Sequence, residues 1–86
     1  QSVVGYIIYL ELLEGHYLNK NIYFHELYLK VANKSSRQTF QKFMDECIHE
    51  NLIYTKKSLD DKRKIIISLS LNVIDDFEKV LWSQLN

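Results

Sequence analysis

The chain has 86 residues and a hydrophobic content of 47%, which is enough for one small domain with its own core. Eleven basic residues balance eleven acidic ones, so the net charge alone favours neither a nucleic acid nor any other charged partner. The single cysteine excludes an internal disulfide and favours a reducing, cytoplasmic setting, and no apolar run reaches the roughly 20 residues that span a bilayer. Because the chain begins with Gln rather than Met, we expect it to be a domain of a longer protein.

The first third of the chain predicts two helices with a short extended segment between them. Apolar residues on most sides predict a helix over residues 2–14, and Gly15 is expected to end it. Residues 18–23 are rich in β-branched and aromatic side chains, so we expect them to be extended and to pair with the edge of a later hairpin. A second, short helix is expected over residues 24–32.

The middle of the chain predicts a turn and a third helix. Residues 33–36 form a polar turn, and a serine at its end is a good N-cap for a helix over about residues 36–50. This helix has the clearest apolar periodicity of the chain, at i, i+3, i+4, i+7 and i+8. The residues concerned are Phe40, Phe43, Met44, Cys47 and Ile48. Asn51 is expected to follow the helix in the left-handed conformation.

Two apolar segments joined by a charged turn predict a hairpin after the third helix. The strands are expected over residues 52–57 and 64–69, with Ile65, Ile67 and Leu69 on one face. Ser70 is expected to cap a last helix. The inner stripe of that helix is predicted to be Ile74, Phe77, Val80, Leu81 and Leu85.

This order of elements predicts an α+β, mainly helical fold. Helix, short strand, helix, helix, hairpin and C-terminal helix together match a winged helix-turn-helix, in one domain over residues 1–86. The third helix would be the recognition helix, and the hairpin tip at about residues 57–64 would be the wing. Residues 30–64 hold nine basic and five acidic side chains, whereas the segments before and after are both net negative. A basic region of this kind can bind a polyanion even in a neutral chain, although an ordinary mixed surface is the alternative.

The exposed face of the third helix carries side chains that can read DNA. Gln can bond adenine in two places, Lys can reach guanine acceptors, and Thr offers a hydroxyl or a methyl group. Serines at the N-terminus of the helix can hold phosphates. The candidate contacts are Ser35, Ser36, Arg37, Gln38, Thr39, Gln41 and Lys42. The alternative is an ordinary solvated helix face.

The tip of the hairpin carries the second group of candidate DNA contacts, Lys62, Arg63 and Lys64. A basic hairpin can lie over the DNA backbone or place an arginine in a narrow minor groove. Asp61 stands two residues before Arg63, so in an extended segment both side chains project to the same side and the carboxylate can orient the guanidinium. An edge hairpin that is kept soluble by its charge is the alternative.

No pattern in the chain predicts catalysis, a cofactor or a metal. A Ser-His-Asp arrangement, a Gly-rich phosphate loop and a nucleotide motif are all missing from the sequence. The three histidines are not at the spacing of metal ligands, and Cys47 is expected to pack inertly on the buried stripe. We therefore expect neither an enzyme nor a cofactor nor a metal site.

Two segments resemble the MarR family of bacterial transcription regulators. Residues 38–45, Gln-Thr-Phe-Gln-Lys-Phe-Met-Asp, resemble the usual recognition-helix run Ser-Thr-Val-Thr-Arg-Leu-Val-Asp, and residues 51–53 stand where the family has Gly-Leu-Val or Gly-Leu-Ile. Residues 61–63 match the Asp-x-Arg of the family's wing, and residues 69–70 lie where it has Leu-Thr. The chain departs from the family at Asn51 and Val73, where glycine is usual, and at Ser58-Leu59 in the wing.

The resemblance implies a homodimer that binds a palindromic operator in double-stranded DNA. Each recognition helix would enter a major groove, and Arg63 would reach the minor groove. In the family, the first and last helices build the dimer and a cavity for small phenolic ligands. Those helices are short or missing here, so a small-molecule effector rests on the resemblance alone.

Two further functions remain open at the level of the sequence. A winged helix used for protein contacts, without DNA binding, is favoured by the zero net charge and the tyrosine-rich first third. The DNA-binding module of a phage or plasmid replication protein is the other.

Overall fold

The computed structural model describes residues 2–85, which form four helices and a three-stranded antiparallel sheet. This confirms the predicted α+β, mainly helical class. In chain order the elements are α1 (Ser2–Tyr17), β1 (Ile22–Tyr23), α2 (Phe24–Val31), α3 (Arg37–His49), β2 (Ile53–Lys57), β3 (Ile65–Leu69) and α4 (Leu71–Leu85).

The prediction that Gly15 ends α1 is wrong, because the helix continues to Tyr17. The stop is Asn19, which adopts a φ of 55°, and the Lys20 N–H donates to the Gly15 carbonyl at 3.0 Å. This left-handed residue and its 6→1 hydrogen bond form a Schellman motif.

Gly15 is instead a packing position. It is buried, and a Cβ built on it would lie 2.5 Å from Cγ1 of Ile22 and 3.1 Å from the carbonyl oxygen of Lys20. The absence of a side chain therefore allows β1 to lie directly against α1.

The sheet has the strand order β1-β3-β2, with β3 in the centre. Ile22 and Tyr23 pair with β3, which confirms the predicted pairing with the edge of the hairpin. The rest of the predicted extended segment is not strand, because residues 18 and 19 form the turn that ends α1. The hairpin register runs from Ile53 opposite Leu69 to Lys57 opposite Ile65. β1 therefore connects the hairpin to the start of α2, which follows it directly.

The predicted inner face of β3 is correct at Ile67 and Leu69 but not at Ile65, which is 40% exposed. β1 pairs only with residues 66 and 67, so Ile65 lies beyond the end of β1 and has a single neighbouring strand. Ile66 lies on the opposite face and is only 6% exposed, with Tyr23 of β1 and Lys56 of β2 as its partners in the two neighbouring strands.

The pair α2 and α3 is anchored in the core by Leu27, Val31, Phe40 and Met44, each at most 1% exposed. Apolar residues from α1, the sheet and α4 complete this core. The turn between α2 and α3 and both ends of α3 agree with the predictions. Asn51 has a φ of 61° and forms a second Schellman motif, in which the N–H of residue 52 donates to the carbonyl of residue 47 at 2.9 Å.

The predicted inner stripe of α4 holds for its first two turns only. Ile74 is buried and Phe77 is half-buried, with its ring in contact with those of Tyr9 and Tyr17. The Tyr17 hydroxyl donates to Oε2 of Glu78 at 2.6 Å, and this bond raises the pKa of the tyrosine to about 12.

The C-terminal part of α4 departs from the prediction because the stripe extends beyond the core. Its side chains are 44–68% exposed at Val80, Leu81, Trp82 and Leu85. Residues 80–85 include no charged side chain. We call this segment the apolar end of α4.

Candidate nucleic-acid interface

The N-terminus of α3 is organised by Ser36, which confirms the predicted cap. Its Oγ accepts the N–H of Thr39 at 3.1 Å and lies 3.0 Å from the Thr39 hydroxyl oxygen. A cap of this kind stabilises a helix by about 1 kcal/mol. Ser35 donates to the Ser36 carbonyl at 3.3 Å. Both serine hydroxyls therefore already have partners, and a phosphate would have to compete with them.

The outer face of α3 changes character along its length. Gln38, Gln41 and Lys42 are exposed in the N-terminal half, as predicted. The C-terminal half of the same shallow surface is formed by Asp45, Glu46, His49 and Glu50. Carboxylates repel the phosphates of DNA, so only the N-terminal half suits a DNA strand.

The two glutamines of this face differ in their freedom to bind a base. Nε2 of Gln41 donates to Oδ1 of Asp45 at 3.0 Å, an i, i+4 pair along the helix. Gln41 would have to release Asp45 to bond an adenine with both ends of its amide. Gln38 forms no side-chain hydrogen bond within residues 2–85, so it is the better placed of the two.

The hairpin tip brings Asp61 and Arg63 together. Oδ1 of Asp61 accepts the backbone N–H of Arg63 at 3.0 Å and its Nε–H at 3.2 Å, and Oδ2 lies 3.4 Å from Nη2. The segment is a turn rather than extended, closed by the Lys64 N–H donating to the Asp61 carbonyl at 2.9 Å. The side-chain hydrogen bond from Arg63 is the main cause that holds the pKa of Asp61 below its ordinary value. The carboxylate is therefore ionised at neutral pH and fixes the direction of the guanidinium.

Two of the candidate basic residues rest on aromatic rings. Cζ of Arg37 lies 4.9 Å from the ring centre of Tyr28 and 5.7 Å from that of Phe24. Nζ of Lys64 lies 5.2 Å from the ring centre of Tyr23. Cations at these distances are attracted by the negative faces of the rings.

These rings were not identified from the sequence, because their contacts join positions far apart in the chain. Tyr23 and Lys64 are neighbours only once β1 pairs with β3. Since that pairing was predicted, a basic residue just before β3 and an aromatic residue in β1 were the available signal.

The structure brings three of the predicted basic residues to one pocket. Arg37 from the start of α3 and Arg63 and Lys64 from the hairpin line a pocket of about 360 Å³. The walls between them come from Tyr23, Phe24, His25, Glu26 and Ile65. We call this the basic pocket. Lys62 is exposed on the hairpin but does not line it, and Gln38, Gln41 and Lys42 lie on the separate outer face of α3.

Other chemistry has little support within residues 2–85. These residues contain no group of three or more His, Cys, Asp or Glu side chains that could hold a metal ion. Cys47 is half-buried, and burial raises the pKa of its thiol, which disfavours the reactive thiolate. None of the helices that the structure describes has the length and apolar character needed to cross a membrane.

Comparisons with protein families, with curated proteins and with solved structures gave no match for this chain.

Proposed function

We propose that residues 1–86 form a single winged helix-turn-helix domain of a DNA-binding transcription regulator, similar in type to the MarR family. In this proposal α2, the turn and α3 are the helix-turn-helix, with α3 as the recognition helix in the major groove. The β2–β3 hairpin is the wing, which contacts the DNA backbone or the minor groove. The regulator acts in the cytoplasm.

One observation carries this proposal: cations from α3 and from the hairpin line the same basic pocket. A DNA strand is bound where positive charges lie together on one side of the protein, and here two separate elements supply them. Within residues 2–85, neither Arg37 nor Lys64 has a carboxylate within ion-pair distance, so both charges are available to phosphates.

The polarity of α3 supports an orientation for this complex. Its uncharged and basic side chains lie in the N-terminal half and its carboxylates in the C-terminal half. Helices of the helix-turn-helix type contact base edges mainly with their N-terminal residues. We therefore infer that Gln38, Thr39 and Lys42 face the major groove while the acidic half points away.

Fluorescence anisotropy with a panel of duplexes at low salt tests the proposal. The panel includes the DNA upstream of the protein's own gene and a random sequence of equal length. We expect binding to all duplexes, with non-specific dissociation constants of about 10⁻⁴–10⁻⁶ M at physiological salt and tighter binding to an operator. Replacing Arg63 by Ala should weaken binding to every duplex. If no duplex binds at low salt, the proposal is wrong.

A protein-contact module is the second candidate function, and the apolar end of α4 favours it. Exposed Leu81 and Leu85 continue the stripe that buries Ile74, and Trp82 lies beside them. Contiguous exposed apolar residues of this kind mark interaction surfaces. The occupant that we propose is a second copy of the chain. Two identical uncharged surfaces can meet across a two-fold axis without charge repulsion.

A homodimer and DNA binding are compatible. The basic pocket and the apolar end of α4 share no residue. A two-fold pair of domains would present two copies of α3, as a palindromic operator requires. A protein-contact function without DNA binding is favoured only if the domain dimerises and binds no duplex.

A further inference from the structure

We propose that the basic pocket holds one phosphate group with its attached sugar, supplied by the backbone of a bound DNA strand. This inference rests on the proposed function and identifies the site at which the protein binds the DNA backbone. It also gives a role to three aromatic residues that the sequence did not single out.

Two of the three cations of the pocket, Arg37 and Lys64, are held by rings, whereas Arg63 is paired with the Asp61 carboxylate. Arg37 lies against Tyr28 and Phe24, and Lys64 lies over Tyr23. A guanidinium that stacks on a ring keeps the edges that bear its N–H donors available to a ligand. Ring support restricts the side chains without cancelling their charge, whereas a carboxylate partner would cancel it. The pocket is therefore positively charged and ordered before a ligand arrives.

The supporting rings are themselves fixed to the core. Phe24 and Tyr28 pack on Phe40 with ring centres 5.1 Å and 5.3 Å apart, and Phe40 is fully buried. Tyr23 belongs to β1, which pairs with the central strand. Binding a phosphate therefore costs little ordering of these groups, which is the main advantage of a preorganised site.

The remaining walls of the pocket fit a sugar phosphate. Three cations line it, with Glu26 as the carboxylate of the lining, and because Asp61 pairs with Arg63, it is Arg37 and Lys64 that supply the positive charge for an anion. His25 adds a further donor. Tyr23, Phe24 and the 40% exposed Ile65 supply apolar surface, against which the carbon skeleton of a deoxyribose can pack.

The first test compares Lys64→Gln with Lys79→Gln, two exposed lysines that lose the same charge. Lys79 lies on α4, outside the pocket. For the full chain on a duplex, we expect Lys64→Gln to reduce the slope of log affinity against log salt by about 0.9, the value of one phosphate contact, and Lys79→Gln to leave it unchanged. If the two variants bind DNA equally, the pocket proposal is overturned while the proposed function survives.

The second test separates ring support from charge. Tyr23→Leu keeps every charge but removes the ring beneath Lys64, and we expect binding to weaken about two- to fivefold. The same change in the Lys64→Gln background should have no further effect. An equal loss in both backgrounds would show that Tyr23 acts through the fold, which would overturn the role given to the rings.

The third test identifies the source of the phosphate. The amide signals of the free chain are followed by NMR while inorganic phosphate or, as a control, chloride is added at matched ionic strength. Suppose that no duplex binds but that phosphate, and not chloride, shifts the amide signals of residues 23–26 and 63–65. The pocket would then still be a phosphate-binding site, and its ligand would be a free phosphorylated molecule. No such shifts in a chain that binds no duplex would overturn the site together with the proposed function.

Discussion

In the proposed complex, Asp61 would have two opposite effects on a DNA phosphate near Arg63. Its charge repels the phosphate, while its hydrogen bonds hold the guanidinium in place. Asp60 precedes it in the chain and forms no hydrogen bond or ion pair with Arg63 among the described residues, so we expect only the repulsive effect from it. The neighbouring pair is a matched comparison for the orienting role.

We expect Asp60→Asn to tighten DNA binding and Asp61→Asn to bind up to about fivefold more weakly than Asp60→Asn. Because the hydrogen bond lowers the pKa of Asp61, the bonded arrangement is fully present above the ordinary pKa of an aspartate and is lost only as the pH falls through the lowered value. The difference between the variants should therefore stay constant above about pH 5. Fluorescence anisotropy titrations at matched salt measure the DNA affinity of both variants. If both variants bind DNA equally more tightly than the wild type, Asp61 does not orient Arg63 for binding.

The two glycines of α1 give a second residue-scale comparison. A Cβ at Gly15 would overlap Ile22, whereas a Cβ at Gly5 would lie 3.4 Å from the end of the Phe43 ring, an ordinary contact. We expect Gly15→Ala to lower the free energy of unfolding by about 1–3 kcal/mol, despite the better helix propensity of alanine. Gly5→Ala should be neutral or stabilise by up to about 1 kcal/mol. Urea denaturation of both variants measures the two changes in the free energy of unfolding. If Gly15→Ala stabilises the protein, β1 is not packed on α1 as described.

Among the secondary-structure elements, α3 allows the sharpest test of the proposed DNA contact, because its two halves carry opposite charge. Lys42→Ala removes a cation from the half proposed to face DNA and should reduce the salt slope by about 0.9. Glu46→Gln removes a carboxylate from the other half and should tighten binding without adding a phosphate contact. If Lys42→Ala leaves the salt slope unchanged, α3 does not lie in the groove with its N-terminal half.

The elements that were predicted correctly are those with local signals. Ser36 and Asn51 mark the ends of α3 through hydrogen bonds within a few residues. The apolar stripe between them is buried at Phe40 and Met44 and half-buried at Phe43 and Cys47, but its last predicted member, Ile48, is exposed. The pair Asp61 and Arg63 likewise lies within one turn. Such features depend on short-range geometry, which the residue order specifies.

The predictions from the sequence were wrong where contacts between distant parts of the chain determine the structure. Glycine is a residue type that often ends a helix, but the close approach of Ile22 makes Gly15 a packing position. The stripe of α4 has helical periodicity throughout, yet periodicity does not show where the core ends, and Leu81 and Leu85 lie beyond it. The rings under Arg37 were likewise unpredictable, because that contact requires the relative positions of α2 and α3, whereas the contact of Tyr23 with Lys64 follows from the predicted pairing of β1 with β3.

At the scale of the whole molecule, the apolar end of α4 predicts a homodimer. Sedimentation velocity should show a dimer that Leu81→Glu together with Leu85→Glu converts to a monomer, because buried charges would oppose the contact. Leu71→Glu is the matched control, since Leu71 is 72% exposed on the same helix but lies at its other end. A wild-type chain that stays monomeric at the highest concentration reached would contradict the dimer.

If α3 and the hairpin hold DNA together, the affinity for a duplex must fall steeply as the salt concentration rises. The proposed DNA-binding side carries five cations, namely Arg37, Lys42, Lys62, Arg63 and Lys64. If all of them contact phosphates, the slope of log affinity against log salt should be roughly −4.5 per chain. A duplex affinity that does not change with salt, or no binding to any duplex at low salt, would contradict the account.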